Sequence, residues 1–368
     1  MKFTFNDEQL SFRDAIVAAL EGEVTAERIR QRWETEQGID EACVAQLREL
    51  GLNAMLVPES LGGLGLSAVD FVMIAEACGA AALPEPLVDT VLCATPLLVD
   101  VLDRGLGGSD VQNVVDGLVA GELSVAVGHS INPYINFAAT ADWLLIEQSG
   151  ALYLLPREEV TLTARKSVDP SRRLQEVGFD ASPRYRLAAG DAAAELSRAT
   201  LNRGALGSAA QLLGLTSAVV KQSVQYTSDR EQFGRAIGSN QAVKHLLADV
   251  TVQAEYARPV IQRAAYTTAV APTRADCAVS HAKVAAVRAA ELAARNGIQC
   301  HGAMGYTWEC DLQIWVKRAW ALAREWGDTS FHKNRIHQWL LKPEALIGPE
   351  HTFGRRSVVG VDSQSAAV

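Results

Sequence analysis

The order of secondary-structure patterns along the chain constrains its fold more than any single motif does. Apolar residues recur at helical spacing from Asn6 to about Leu118, and again from Asp191 to Leu341. Between these regions, short segments rich in β-branched or alternating apolar residues predict strands at Leu123–Val127, Trp143–Glu147, Ala151–Leu155 and Glu159–Ala164. The sequence therefore predicts a helical region, a small β-domain and a second helical region.

These patterns predict four segments. They are an N-terminal α-helical domain at 1–120, a small middle β-domain at 121–190, a C-terminal helical bundle at 191–345 and a flexible tail at 346–368. Two local signals support the assignment. Asn6 followed by Gln9 predicts a capping box at the first helix, and Gln148–Gly150 predicts a hairpin turn between two strands.

Charge and composition exclude several classes of partner. Lys and Arg number 34 against 43 for Asp and Glu, a net charge of −9, which argues against non-specific binding to nucleic acid. No apolar run reaches the length of a membrane span, and the N-terminus is acidic where a signal peptide is basic. The six cysteines form no C-x-x-C pair and are expected to be free thiols in the cytoplasm.

A polar break between two long helices, Arg230–Gly234, is followed by Gln241 at the start of the next helix. Its guanidinium, amide side chains and free N–H groups suit an anionic ligand such as a pyrophosphate. The alternative is a plain helix connection in which Arg230 pairs with Asp229 or Glu231, and chemistry alone favours that alternative.

A second break, Gln299–Tyr306, has small residues at Gly302, Ala303 and Gly305 that would let a ligand approach the backbone. A helix that simply ends at glycine is the alternative. Cys300, His301 and Cys310 match no zinc-ligand spacing, so no metal site is predicted.

Two carboxylates near the C-terminus have a structural and a functional interpretation. Asp328 is expected to be the N-cap of the last helix. Glu309 is expected to form an ion pair with Lys317 or Arg318. A role as general base is the alternative for each of them.

Together these segments resemble the acyl-CoA dehydrogenase family over nearly the whole chain to about Leu341. Val57–Gly65 (VPESLGGLG) matches a family signature, and Arg230–Gly234 with Ile237 and Gln241 is similar to the family's flavin loop. Gln299–Tyr306 is similar to the second flavin segment, with Ala303 where a glycine is usual. The resemblance implies a mainly α fold with a helical domain, a β-barrel-like middle domain and a four-helix bundle. It also favours ligand binding over the plain helix connection at Arg230–Gly234 and over the simple helix end at Gln299–Tyr306.

The implied reaction is FAD-dependent α,β-dehydrogenation of an acyl-CoA thioester, in which a glutamate removes the α-proton and the flavin accepts the hydride. An electron-transfer flavoprotein or a similar acceptor would reoxidise the flavin. In this family the bundle binds the FAD of a neighbouring subunit. The matching positions are Arg230, Gln232, Phe233, Ile237, Gln241, Gln299, Gly302, Ala303 and Gly305.

The sequence departs from the family pattern at the catalytic centre. Ser124–Ala139 lacks the Thr/Ser-Glu-Pro and Gly-Ser-Asp elements that cover the flavin ring. The two family positions for the base, twenty residues after Tyr306 and ten before Gly214, hold Trp326 and Gly204. The resemblance therefore implies one subunit of a heteromeric acyl-CoA dehydrogenase in lipid or sterol degradation.

Two alternatives stay open. One is a homo-oligomeric dehydrogenase with Asp328 or Glu309 as an unusual base. The other is a non-catalytic acyl-CoA-binding or scaffold subunit without flavin.

Overall fold

The computed structural model describes residues 3–343 and residue 345, so the predicted tail at 346–368 lies outside the described residues. Helices form most of this part of the chain. Those before the β-domain are α1 (Asp7–Glu23), α2 (Ala26–Trp33), α3 (Glu41–Glu49), α4 (Ala68–Ala80), α5 (Leu87–Asp89), α6 (Thr95–Asp103) and α7 (Gly108–Ala120). A π-helical turn, Thr90–Ala94, joins α5 to α6.

Side-chain caps fix where the first of these helices begin. The Gln9 N–H donates to Asn6 Oδ1 at 2.8 Å, and the Asn6 N–H donates to Gln9 Oε1 at 2.9 Å. The predicted capping box is therefore confirmed. Ser67 and Asp70 form an equivalent box at the start of α4.

Two small sheets follow the N-terminal helices. Their strands are β1 (Val125–Gly128), β2 (Ile135–Asn136), β3 (Trp143–Gln148), β4 (Ala151–Pro156), β5 (Val160–Arg165), β6 (Leu174–Phe179) and β7 (Arg186–Ala189). One sheet has the order β1-β3-β4-β7, and the other has the order β2-β6-β5.

The predicted hairpin joins β3 to β4. Its central residues, Ser149 and Gly150, have φ values of 51° and 75°, as a two-residue turn requires. Strand β6 has no clear signal in the sequence, because its exposed and half-buried positions alternate without a strong apolar face.

The remaining helices build the bundle. They are α8 (Gly190–Asp229), α9 (Gln241–Val270), α10 (Ala275–His301), α11 (Leu312–Leu322) and α12 (Thr329–Leu340). The three long helices α8, α9 and α10 pack on one another, α11 packs on α8 and α10, and α12 packs on α10. Helix α8 begins at Gly190, close to the predicted start of the second helical region at Asp191, and it buries small residues such as Ala193 and Thr200.

The N-terminal helices and the bundle share one hydrophobic core. Helix α4 lies so close to α8 that a Cβ on Gly214 would overlap the backbone of Glu76. The β-domain packs on α6, α7 and the start of α8 through a second core. Since the first core crosses the expected border between helical domains, the boundaries at 120 and 190 stay predictions. The β-domain meets the bundle beside α8, where one of the two base positions lies.

Candidate functional site

The predicted flavin loop is a small hairpin between α8 and α9. Its strands, β8 (Glu231–Gln232) and β9 (Arg235–Ala236), are joined by Phe233 and Gly234, whose φ values are 54° and 77°. The Ile237 N–H donates to the Arg230 carbonyl at 2.8 Å and closes the base of the hairpin. This geometry leaves the side chains of Gln232 and Phe233 exposed.

The guanidinium of Arg230 points into solvent at the end of α8. Neither Asp229 nor Glu231 pairs with it, and Asp229 instead accepts a hydrogen bond from Gln225 at 2.8 Å. Within the described residues Arg230 forms no ion pair, so the pairing with Asp229 or Glu231 that the sequence allowed is absent. Gln241, the first residue of α9, is exposed on the same connection.

The second predicted segment lies next to the first. Helix α10 ends at His301, and a 3₁₀ turn, Gly302–Tyr306, follows it. The His301 ring stacks on Tyr226, in the last turn of α8, with centroids 4.3 Å apart. This contact brings the two segments together.

Small residues keep the second segment open. A Cβ on Gly302 would meet open space, whereas one on Gly305 would crowd the Ile298 carbonyl at 2.9 Å. Ala303 and Gln299 are exposed, so the alanine that replaces the usual glycine is accommodated. An unpaired guanidinium beside exposed backbone suits a dinucleotide, and the bundle side therefore fits FAD.

The two family positions for the catalytic base meet in space, although they are far apart in sequence. Gly204 lies within α8, and the indole of Trp326 covers it so closely that a Cβ on Gly204 would overlap the ring. Trp326 is 2 % exposed. The indole thus fills the point toward which both positions face.

Hydrogen bonds hold Trp326 on three sides. Its N–H donates to Asn132 Oδ1 at 2.8 Å, and its indole Nε1–H donates to Asp89 Oδ1 at 3.2 Å. Its carbonyl lies 2.9 Å from Nε2 of the buried His332. Burial lowers the pKa of His332 to about 3, so the ring is neutral and its Nε2–H donates. The backbone at Trp326 has a φ of 56°, which is rare for a bulky residue.

The loop after β1 closes against this tryptophan. His129 lies edge-on to the indole at 5.7 Å between centroids, and its Nε2 is 3.0 Å from Ser197 Oγ in α8. Because the Ile131 N–H donates to His129 Nδ1, the Nε2 atom carries the proton in a neutral ring. His129, Ser197 and Trp326 therefore pack together where the β-domain meets α8.

A buried polar cluster lies on the other side of the indole. Asp89 is close to Glu325, and Glu325 forms an ion pair with Arg172 from the β-domain. Burial raises the pKa of Asp89 to about 7, and the neighbouring Glu325 carboxylate adds to the rise. The cavity beside them has a volume of about 30 Å³, enough for about one water molecule.

The two weak candidates for the base, Asp328 and Glu309, have other surroundings. Asp328 caps α12 and accepts a hydrogen bond from the Phe331 N–H at 2.8 Å, as expected. Glu309 is exposed, and it pairs with neither Lys317 nor Arg318. Their partners are instead Gln313 and Asp169, so the expected ion pair was wrong.

Sequence reasoning missed Asp89 and the segment Asp169–Arg173 (DPSRR). Within that segment, Asp169 pairs with Arg318, Ser171 accepts from the Trp33 indole at 2.7 Å, and Arg173 donates to carbonyls at the end of α2. The available signal was an Arg-Arg pair beside Asp-Pro in a short loop. Charged residues in such a turn are usually solvated, which hides their role from the sequence.

The described residues offer neither a metal-binding cluster nor a helix that could span a membrane. Within residues 3–343 and 345, His, Cys, Asp and Glu side chains nowhere gather in threes to hold a metal ion. Among the described helices, none is both long and apolar enough to cross a membrane.

Comparison with known families and proteins gave matches along most of the chain. "Acyl-CoA dehydrogenase, N-terminal domain" matches residues 6–101, and "Acyl-CoA dehydrogenase, C-terminal domain" matches residues 194–341. The chain is 30 % identical to "Acyl-CoA dehydrogenase IpdE2" of Mycobacterium tuberculosis over 85 % of its own length and 91 % of that protein.

Solved structures show the same fold at lower identity. A chain of the ChsE4-ChsE5 complex from M. tuberculosis superposes with a TM-score of 0.78 at 23 % identity, covering 92 % of this chain and 99 % of that one. A chain from a variant of the Tcur3481-Tcur3483 steroid ACAD gives a TM-score of 0.77 at 21 % identity, covering 90 % and 97 %.

Proposed function

Since this chain belongs to the acyl-CoA dehydrogenase family, we propose that it is one subunit of a heteromeric acyl-CoA dehydrogenase acting in lipid or sterol degradation. Enzymes of this family are FAD-dependent oxidoreductases of the CH–CH bond in acyl-CoA thioesters. The proposal assigns the bundle half of a flavin site to this chain. It assigns the catalytic base and the cover of the flavin ring to a different, homologous chain.

The observation that carries the proposal is the position of Trp326. An indole cannot accept an α-proton, and here it is buried on Gly204 at the second base position. The cavity beside Asp89 and Glu325, with a volume of about 30 Å³, is far below the roughly 300 Å³ of a small ligand pocket. This closure supports a chain that does not take an acyl group at its own centre.

The exposed loops support the assignment of the bundle half. We expect Arg230 to contact the pyrophosphate of an FAD, with Gln232, Phe233, Ile237 and Gln241 beside it. Gln299 and the backbone from Gly302 through Ala303 to Gly305 would line the adenosine side. When bound, FAD supplies the hydride acceptor, and the residues of this chain bind and orient it.

The wider setting is part of the same proposal. Two fold relatives support a heteromer and a sterol-derived substrate, because one is a complex of two named chains and the other is called a steroid ACAD. We expect an electron-transfer flavoprotein or a similar protein to accept the electrons. All six cysteines are free, which supports a cytoplasmic location.

A second candidate is a homo-oligomeric dehydrogenase with an unusual base, and Asp89 is the observation that favours it. Its carboxylate touches the indole at the base position, and a pKa of about 7 suits proton transfer near neutral pH. Asp328 and Glu309 are weaker choices, because one caps a helix and the other is exposed away from the cluster.

The deciding experiment compares the chain purified alone with the chain co-expressed with a homologue that carries the missing elements. We expect FAD and acyl-CoA oxidation only in the co-purified complex. The lone chain should be slower by at least two to four orders of magnitude, the usual effect of losing a general base. As a control, a Glu→Gln change at the partner's base should abolish turnover while leaving the flavin bound.

Full flavin occupancy and turnover by the lone chain would contradict the proposal. In that case Asp89→Asn should abolish the activity if the second candidate is right. Absence of flavin from both preparations, with the complex still formed, would favour a scaffold subunit instead.

A further inference from the structure

A small cavity lies beside Asp89 and Glu325, where the N-terminal helices, the β-domain and the bundle meet. Its volume of about 30 Å³ exceeds the roughly 10–15 Å³ that a cavity needs to hold one water molecule. Its polar wall comes from all three parts of the chain: Glu85 before α5, Arg172 between β5 and β6, and Gln211 in α8. One small molecule in this cavity can therefore contact all three parts.

Two largely buried side chains on the cavity wall each have one polar atom without a partner. Glu85 is 3 % exposed, and its Oε1 accepts from the Asp40 N–H at 3.1 Å and lies 3.2 Å from Arg32 Nε. Its Oε2 accepts no hydrogen bond within residues 3–343 and 345. Arg172 pairs with Glu325 through Nη2, but its Nε–H donates to none of the same residues. Since buried polar groups almost always have a partner, both atoms point to a bound molecule.

The two unpaired atoms require opposite properties of that molecule. Glu85 Oε2 needs a donor, whereas the Nε–H of Arg172 needs an acceptor, which a simple cation is not. An anion would face the carboxylates of Glu85 and Glu325. The arginines on the wall, Arg172 and Arg318, already pair with carboxylates. Water donates and accepts through one oxygen, and it is small enough for this cavity.

From these contacts we propose that the cavity binds one ordered water molecule, which donates to Glu85 Oε2 and accepts from the Arg172 Nε–H. Buried waters usually make about three hydrogen bonds, and the side-chain amide of Gln211 is the third partner that we expect. Because Arg172 also pairs with Glu325, the residue before Trp326, the water supports the ion pair beside the indole. The inference does not depend on the proposed function.

A high-resolution crystal structure of the purified full chain tests the position of the water. We expect one water peak within about 2.7–3.2 Å of both Glu85 Oε2 and Arg172 Nε. A cavity without a peak, or a direct hydrogen bond between these two atoms, would overturn the proposal. So would an anomalous peak in the cavity after a bromide soak, because the occupant would then be an anion.

Oxygen-17 magnetic relaxation dispersion counts the long-lived internal waters of the same protein in solution. Arg172→Lys keeps the positive charge beside Glu325 but removes the Nε–H, so we expect the variant to lose one long-lived water. Gln211→Met, which removes the third partner at similar size, should have the same effect. Arg165→Lys is the matched control, because it makes the same change at an ion pair that is about half exposed, and it should keep the wild-type count.

Far-UV circular dichroism checks that each variant is folded, and the crystal structure of the wild-type chain decides the question if a variant is not. A wild-type count of long-lived waters in both folded cavity variants would contradict the assignment of the water to this cavity. Loss of one water in Arg165→Lys as well would show that the change does not come from the cavity.

Discussion

At the residue scale, the contact between Trp326 and Gly204 can be tested by a double-mutant cycle. In the wild-type background, Gly204→Ala forces a methyl group against the indole and should reduce the free energy of unfolding by about 1–3 kcal/mol. After Trp326→Ala the same change should instead stabilise α8 by about 1 kcal/mol, since alanine favours a helix over glycine. Urea denaturation of the four proteins measures both effects.

Trp326→Ala alone should reduce the free energy of unfolding by about 3–5 kcal/mol, because it leaves a cavity at a buried position. The matched control is Trp320→Ala, whose side chain is 43 % exposed and should cost much less. An equal effect of Gly204→Ala in both backgrounds would show that the ring does not lie on Gly204.

The raised pKa of Asp89 predicts how the free energy of unfolding depends on pH. Burial raises the pKa of its carboxyl from 3.8 to about 7, so the folded chain holds this proton more tightly than the unfolded chain does. The free energy of unfolding should therefore fall as pH rises from about 4 to 7. Asp89→Asn keeps an acceptor for the indole and should remove this loss, on the order of 4 kcal/mol.

Urea denaturation at several pH values gives, for each variant, the slope of the free energy of unfolding against pH. The exposed Asp103→Asn serves as the control and should follow the wild-type slope. A wild-type slope in Asp89→Asn would mean that another group titrates in this range.

At the element scale, the segment Asp169–Arg173 joins three parts of the molecule. Arg173 donates to the carbonyls of Arg32 and Thr35 at 2.8 Å and thereby caps the C-terminal end of α2. Arg173→Ala should lower the free energy of unfolding by about 1–2 kcal/mol, since partly buried and exposed carbonyls lose a charged donor. Amide exchange should accelerate first around residues 32–38.

Arg165→Ala is the control for that experiment. Arg165 pairs with Glu176 on the surface of the same domain, and both side chains are about half exposed. Such a pair contributes about 0–1 kcal/mol, so exchange around residues 32–38 should not change. Equal effects of the two variants on amide exchange around residues 32–38 would contradict a capping role for Arg173.

Elements with local signals were predictable, and elements defined by distant contacts were not. The Asn6 cap and the turn at Gln148–Gly150 depend on neighbouring residues, so the sequence sufficed for both. Strand β6 has no strong apolar face, and its place depends on pairing with β2 and β5. The partner of Asp169 lies in α11, and no local pattern identifies Arg318 as that partner.

The candidate site likewise contains residues that a local motif predicts and residues that only distant contacts define. Arg230 and Gln241 lie in one continuous motif, which the resemblance located. The role of Asp89 emerges only when α5 meets the segment before α12, because the indole that it accepts from is far away in sequence. The residues that contact Trp326 from the loop after β1, His129 and Asn132, have no sequence signal beyond the absence of the family elements.

At the scale of the whole molecule, the bundle loops are open while the β-domain side is closed. His129 and Asn132 pack on Trp326 where the β-domain meets α8, and the exposed Arg230 lies in the connection between α8 and α9. A homo-oligomer would therefore repeat the open half and the closed half at every site. A different partner with an open β-domain would complete one flavin site for each pair of chains.

This asymmetry gives the last prediction, which concerns the complex of this chain with such a partner. The complex should contain one FAD for two chains, and Arg230→Ala in this chain should lower the FAD content after gel filtration. Losing a charged hydrogen bond costs about 2 kcal/mol, or about a thirty-fold loss of FAD affinity. Flavin absorbance after gel filtration measures the ratio. Arg288→Ala, an exposed arginine in α10, is the matched control and should leave it unchanged. A ratio of one FAD per chain would require a second open β-domain half, which this chain does not have, because its own side is occupied by a buried tryptophan.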